Sequence, residues 1–291
     1  MAALVIGVVF VSFVLMIIVI ASMVGSSTSL PIGHRVGVIQ VVGPIVSSDK
    51  TVREIIDFGK DDSIEAVVLR VDSPGGGVGP SQEIYTEIER LTALKPVVVS
   101  MGSVAASGGY YVAAPADKIV ANPGTITGSI GVIMGFTNYE ELLEKIGLKS
   151  TVVKSGKHKD IGSPVRPMTD EDRAILQSLI DDVHRQFVSA IAKGREMDPD
   201  AVLDLADGRI FTGKQAMELG LVDQLGNFRD AVTLAASLAD IEGEPRLVYP
   251  PKEKPDFLEY FMQEAIGQFK EGLREETYNG LQYIWDGNNR R

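Results

Sequence analysis

The 291-residue chain contains no cysteine. Disulfides, thiolate nucleophiles, thiolate zinc sites and iron–sulfur clusters are therefore excluded together. Histidine is nearly as scarce: His34, His158 and His184 are dispersed and show no metal-ligand spacing. Positive charge is in deficit, with 28 Lys and Arg against 39 Asp and Glu and a net charge of -11. A nucleic-acid partner is not expected, because neutralising phosphates needs a basic face and none is visible. Internal repeats are also missing, which argues against tandem duplication. What the chain does have is apolar residues, at 45% hydrophobic against 23% charged, enough for a sizeable core.

Much of that apolar content opens the chain. Residues 2–24 read AALVIGVVFVSFVLMIIVIASMV, uncharged, with Ser12 and Ser22 as the polar side chains. At about 1.5 Å per residue such a helix is roughly 35 Å long and crosses a hydrocarbon core of about 30 Å. The apolar region of a cleaved signal peptide is normally about 7–15 residues and follows basic residues, and neither holds here. An uncleaved single-pass transmembrane anchor is therefore expected. Its orientation is not legible from charge, because the first basic residue is Arg35. Residues 25–34 are expected to form a short tether.

The body alternates two hydrophobic periods. Short β-branched runs at 36–42, 64–71, 96–100 and 118–121 read as strands. Amphipathic stretches at 51–58, 81–94, 170–193 and 231–238 read as helices. Thr169 and Asp172 have capping-box spacing at the start of the third helix, with Asp in place of the usual Glu. Strands separated by helices predict an α/β fold with a mostly parallel sheet. Residues 35–242 are expected to form one catalytic-sized domain. The Pro- and charge-rich stretch 243–256 reads as a linker, and 257–291 reads as a helical segment packed on the body or on a neighbouring subunit.

Three glycine-containing segments have the composition of a reactive site. Asp72-Ser73-Pro74-Gly75-Gly76-Gly77 follows a strand, where glycines expose backbone N–H groups at the carboxyl edge of a sheet. It lacks the Lys-Ser/Thr pair of a phosphate loop. Gly102-Ser103-Val104-Ala105-Ala106-Ser107-Gly108-Gly109 surrounds Ser107 with small residues, which allows a sharp strand-to-helix turn in the manner of a nucleophile elbow. Gly124–Val132 is a Gly/Ser/Thr-rich strand that permits close backbone approach. Each segment has a plain structural reading as well, as a turn, a close helix–sheet contact or a strand bend.

A reactive serine needs a base. His34 adjoins the tether, His158 lies between two lysines, and His184 sits among Asp181, Asp182 and Arg185 and reads as a solvated helix-face residue. No Ser-His-Asp set emerges, so a Ser-Lys pair is the economical alternative. Lysine acts as a base only when neutral, which burial favours. Lys154, Lys157 and Lys159 are candidates, and spacing does not choose among them.

The ordered set DSPGGG, MGSVAASGGYY, TITGSIGV, SGKHKDIGSP, GRIFTG and GLVDQLG, across about residues 35–240, resembles the signal peptide peptidase A family in its short, single-domain form. The resemblance implies a Clp-protease/crotonase-like fold and a membrane-anchored serine endopeptidase. By family pattern Ser107 corresponds to the nucleophile, Lys159 to the general base and Ser129 to the serine that orients that lysine. The backbone N–H groups of Gly76 and Gly108 correspond to the oxyanion hole. It further implies peptide substrates (released signal peptides and hydrophobic or unfolded segments), no metal or organic cofactor, a homo-oligomer, and a catalytic domain on the extracytoplasmic side of the cell membrane. The readings set against it are a crotonase-like acyl-coenzyme A hydratase or lyase and a catalytically inactive membrane scaffold.

Overall fold

The structure is a computed structural model that describes residues 33–251 and 282–284. The expected anchor at 2–24, nearly all of the tether and most of 257–291 lie outside the described residues. Among the described residues no helix is long and apolar enough to cross a membrane.

Apolar strand runs build the centre. β1 (Arg35–Val42), β2 (Ala66–Ser73), β4 (Val97–Ala106) and β5 (Lys118–Ala121) pair in parallel, in the order β1-β2-β4-β5. Alternate side chains leave opposite faces of the sheet, and both faces are covered, which is why these strands read as continuous apolar runs rather than alternating ones. Val67, Leu69, Val71, Val97, Val99 and Met101 face the larger core. That side packs against helices α1 (Asp49–Lys60), α2 (Val78–Thr92), α3 (Gly108–Ala113) and α5 (Asp170–Gly194). Ala66, Val68, Val98 and Val120 face the other side and meet Ala231, Val232, Ala235 and Ala236 of α8 (Phe228–Leu238).

β4 is the longest strand, and its outer edge divides. Residues 98–101 pair with β5, and residues 104–106 pair in parallel with β6 (Ile126–Gly128). β7 (Ile210–Thr212) closes that branch as the antiparallel member, while β8 (Gln224–Leu225) follows β5. α4 (Glu140–Lys145) stands on the arm of residues 131–167, and α6 (Pro199–Leu205) and α7 (Gly213–Glu218) link α5 to β7 and β8. The capping box at α5 forms as its spacing predicts: Thr169 Oγ1 accepts from Asp172 N–H at 3.1 Å and Asp172 Oδ2 accepts from Thr169 N–H at 3.2 Å.

Two stretches differ from expectation. Within 243–256, read as a linker, β9 (Arg246–Val248) pairs in parallel with β1, Arg35 opposite Arg246. The otherwise open edge of β1 supplies the partner that composition did not reveal. Within 257–291, read as helical, the described residues Gln282–Ile284 form a strand, β10, antiparallel to β3 (Gly75–Gly77).

The glycines beside Ser107 set how closely α3 approaches the sheet. A Cβ on Gly109 would stand 2.5 Å from the Ser73 carbonyl oxygen, a backbone atom that cannot turn aside. Gly109→Ala is therefore expected to lower stability by about 2–3 kcal/mol, the upper part of the range for overpacking. Urea denaturation of the purified protein measures this, and an unchanged midpoint would show that α3 can move off the sheet without cost.

Candidate active site

Strand β4 carries the chain to Ala106, and α3 begins at Gly108, so Ser107 is the single residue that makes the turn. Its backbone adopts φ 54° and ψ -120°. A positive φ at a non-glycine residue stores strain of about 1–3 kcal/mol and is tolerated where neighbours over-determine the backbone. Here they do: the Ser107 N–H donates to the Gly128 carbonyl at 2.8 Å and its carbonyl accepts from Tyr111 N–H at 2.8 Å. The residue is 1% exposed, and its Oγ has no hydrogen-bond partner among the described residues. A buried hydroxyl without a partner costs about 1–3 kcal/mol and calls for an explanation. Strain and an unsatisfied hydroxyl at one serine match the elbow read from its small neighbours.

Strand β6 brings the second serine. The Thr125 and Thr127 hydroxyls donate to the Gly102 and Ala105 carbonyls at 2.7 and 2.6 Å, fastening β6 along β4. In that register Ala106 lies opposite Gly128, so Ser107 and Ser129 are the residues that follow the last paired positions of the two strands. Ser129 is 7% exposed, also has positive φ (51°), and donates its N–H to the Arg209 carbonyl at 2.8 Å. A cavity of about 410 Å³ opens next to it, with Ile133, Ile180, His184 and Gly208 among its walls.

The third segment approaches from the neighbouring strand. At the end of β2, Ser73 Oγ accepts from Gly75 N–H at 3.1 Å and Gly75 takes φ 97°, which turns the chain into β3. Gly76 backs onto the Ile45 backbone so closely that a Cβ would overlap the Ile45 carbonyl. β3 touches α3, so Gly76, Gly108, Ser107 and Ser129 gather at one end of the sheet. Asp72, which the sequence marks only as the first residue of its motif, stabilises the strand junction. Its Oδ1 accepts from Val104 N–H at 3.0 Å where the β2–β4 register shifts.

Lys159 is placed differently. It stands on the arm of residues 131–167, is exposed, and makes no hydrogen bond to Ser107 or Ser129. The structure nevertheless separates the three candidate lysines. Lys154 Nζ pairs with Asp160 at 2.5 Å and Lys157 Nζ pairs with Glu171, whereas Lys159 forms no ion pair among the described residues. Sequence reading missed Arg166, which fastens this loop. Its Nε and Nη2 grip Asp160 at 3.0 and 2.9 Å while Nη1 reaches the buried Asp172, in the cap of α5, at 2.6 Å. The residue next to Lys159 is thus tied to the start of the longest helix. No sequence signal pointed to this, because six residues separate Arg166 from each partner and the pairing depends on how the arm folds back.

Hydrogen bonds from Arg166, and secondarily from Lys154, hold the Asp160 carboxyl well below the usual carboxylate range. Arg166 does the same for Asp172. A depressed folded-state pKa adds stability above the ordinary value of about 3.9 and loses it as pH falls through the lowered one. Amide exchange across 154–166, corrected for the intrinsic rate, should therefore stay constant from about pH 7 to about pH 4 and accelerate only in stronger acid. Acceleration already near pH 5 would contradict the clamp.

The histidines have other work. His184, expected on a solvated helix face, is half-buried and its Nε2 donates to the Ala206 carbonyl at 2.7 Å, tying α5 to the end of α6. His34 Nδ1 meets Glu65 at 2.8 Å, and His158 lies 3.3 Å from Glu171. Among the described residues no histidine hydrogen-bonds the Ser107 Oγ. Among the described residues no group of three or more His, Asp or Glu is placed to hold a metal ion.

The chain matches the sequence model of Peptidase family S49 over residues 89–242. A Synechocystis protein described as a "Putative protease" is 48% identical over 209 residues, covering 72% of this chain and 76% of its own length. A "Putative signal peptide peptidase SppA" of Enterococcus faecium is 45% identical over 174 residues, 60% of this chain and 51% of that protein. The "Serine protease SPPA, chloroplastic" of Arabidopsis thaliana is 32% identical over 261 residues, 86% of this chain and 39% of that protein.

Proposed function

We propose, from the premise that the chain belongs to peptidase family S49 and is a serine-type peptidase, that Ser107 is its nucleophile and Lys159 its general base. The mixed α/β sheet with its covering helices fits the Clp-protease-like fold of that family. The observation that carries the proposal is the condition of Ser107: strained, buried, and with a hydroxyl that has no hydrogen-bond partner among the described residues.

On this reading neutral Lys159 takes the proton from Ser107 Oγ as that oxygen attacks the scissile carbonyl. Ser129 orients the amine. The Gly76 and Gly108 N–H groups receive the tetrahedral oxyanion, and Lys159 returns the proton to the leaving amine. Water then attacks the acyl-enzyme with the same lysine as base. No step requires a metal or an organic cofactor.

A lysine base works best when desolvated, and Lys159 is exposed in the single chain. We take assembly to supply the cover. The arm that bears Lys159 also exposes Leu142, Ile146, Leu148, Val152 and Val153, the last at 97%. So much apolar surface on one arm marks a contact region, and a second copy of this chain is the occupant that would also complete the site. The substrates proposed are released signal peptides and other hydrophobic or unfolded segments. The uncharged run 2–24 supports a single-pass anchor. The extracytoplasmic placement of the catalytic domain, near such peptides, rests on the family resemblance, since charge does not give the orientation.

A fluorophosphonate serine probe applied to lysed cells that express the full chain, followed by separation of the membrane and soluble fractions, tests the reading. The expected result is one labelled protein in the membrane fraction, with the adduct mapped by mass to Ser107. An adduct on another serine would remove the assignment, and a labelled protein confined to the soluble fraction would remove the anchor.

A further inference from the structure

We infer that Arg166 is a positioning residue for the proposed reaction: it fixes the backbone that carries Lys159 against the start of α5. The inference rests on the reading of Lys159 as the base. All five N–H donors of the guanidinium are engaged. Nε donates to Asp160 Oδ2 at 3.0 Å, and Nη2 donates to Asp160 Oδ1 at 2.9 Å and to the Asp160 backbone carbonyl at 3.1 Å. Nη1 donates to the Pro167 carbonyl at 2.9 Å and to Asp172 Oδ2 at 2.6 Å. One rigid planar group therefore holds both the side chain and the main chain of the residue next to Lys159, and joins them to the buried Asp172 carboxylate.

Lys159 needs such support. Its amine forms no ion pair among the described residues, so where it can reach is set by its backbone. That backbone lies in a run of tight turns: Lys159 N–H donates to the Gly156 carbonyl at 3.2 Å, Ile161 N–H to the His158 carbonyl at 3.1 Å and Ser163 N–H to the Asp160 carbonyl at 3.0 Å. Such local bonds shape the loop but do not fix where it stands on the body. Two other links reach α5, from Lys157 and His158 to Glu171, and both are exposed pairs of small expected value. The Arg166 link differs in kind, being bidentate on Asp160, charge-assisted and closed on a buried partner. Its far end is firm, because Phe187 and Ile191 of α5 are buried in the larger core. The same helix supplies Ile180 and His184 to the cavity beside Ser129. A single rigid element thus carries both the loop of Lys159 and a wall of the serine site.

The test is a double-mutant cycle in the full chain between Arg166→Ala and Lys159→Ala. With Lys159 present, Arg166→Ala should lower kcat about 10- to 100-fold at unchanged KM, the loss expected when a reacting group is misplaced by about an ångström. In the Lys159→Ala background the same substitution should change the residual rate by less than about twofold, since nothing is left to position. Arg166→Lys should not rescue, because an ammonium keeps the charge but lacks the planar fork. Thr169→Ala weakens the cap of α5 without touching the clamp, and should lower the melting temperature while leaving kcat as it was. If Arg166→Ala shows no melting transition, Arg166→Gln takes its place in the cycle. Equal losses of rate in the two backgrounds, or an equal loss in Thr169→Ala, would make the effect a structural one and overturn the positioning role. Parent kcat in Arg166→Ala or Arg166→Lys, beside an impaired Lys159→Ala, would overturn it while leaving the base in place. A Lys159→Ala protein at the parent rate would remove the base and the inference with it, so the two failures are told apart.

Discussion

Ser107→Ala is expected to reduce peptide hydrolysis by on the order of 10³- to 10⁶-fold, the range seen when a covalent nucleophile is removed. Its structural cost should be small. The Ser107 Oγ has no hydrogen-bond partner among the described residues, so truncation breaks no hydrogen bond there and removes a buried unsatisfied hydroxyl. The backbone strain at φ 54° persists, because alanine also carries a Cβ. The backbone bonds to Gly128 and Tyr111 do not involve the side chain. A stability change within about 1 kcal/mol in either direction is therefore expected. A melting curve and a turnover assay on the same preparation check both halves. Normal turnover would remove Ser107 from the chemistry, while a large fall in melting temperature would make the loss of activity uninformative. Ser103→Ala is a suitable control, as a serine in the same segment that is itself exposed.

The elements best legible in the sequence are those whose pattern is set by burial. β2 and β4 read as strands because a sheet covered on both faces makes nearly every position apolar. α5 reads as a helix with a definite start because its cap residues bond one another locally. The turn at Ser107 is legible for a similar reason: small residues on both sides are what a crowded strand-to-helix turn requires. Elements whose partner is far along the chain are not legible. β9 and β10 are three residues each, too short for a period to register, and they exist because β1 and β3 have edges to offer. The Arg166 clamp and the His184 tie escape for the same reason. Each looks like an ordinary surface residue until the arm and α6 fold against α5. Among the proposed site residues, Ser107 is therefore approachable from local composition, whereas composition marks only the segment 124–132 and the family resemblance names Ser129 within it. The choice between Lys154, Lys157 and Lys159 needs either the family resemblance or the ion pairs of the folded chain.

Those ion pairs carry the second large effect. Lys159→Ala and Lys159→Arg should each lower kcat by about 10²- to 10⁴-fold, the usual contribution of a positioned general base. Arginine keeps the positive charge but does not deprotonate, so if charge alone mattered Lys159→Arg would retain activity. Lys154→Ala leaves Asp160 still held by Arg166 and should cost only a few-fold in rate. Lys157→Ala breaks an exposed pair with Glu171 and should be close to wild type. His158 lies within reach of Glu171 and Asp172 and makes no contribution to the proposed chemistry, so His158→Asn should be close to wild type. One peptide substrate, assayed with the three alanine variants, Lys159→Arg and His158→Asn, separates the cases. A Lys159→Ala protein with wild-type rate, beside an inactive Lys154→Ala or Lys157→Ala, would transfer the base to another residue of the same loop. An inactive His158→Asn beside an active Lys159→Ala would transfer it to the histidine.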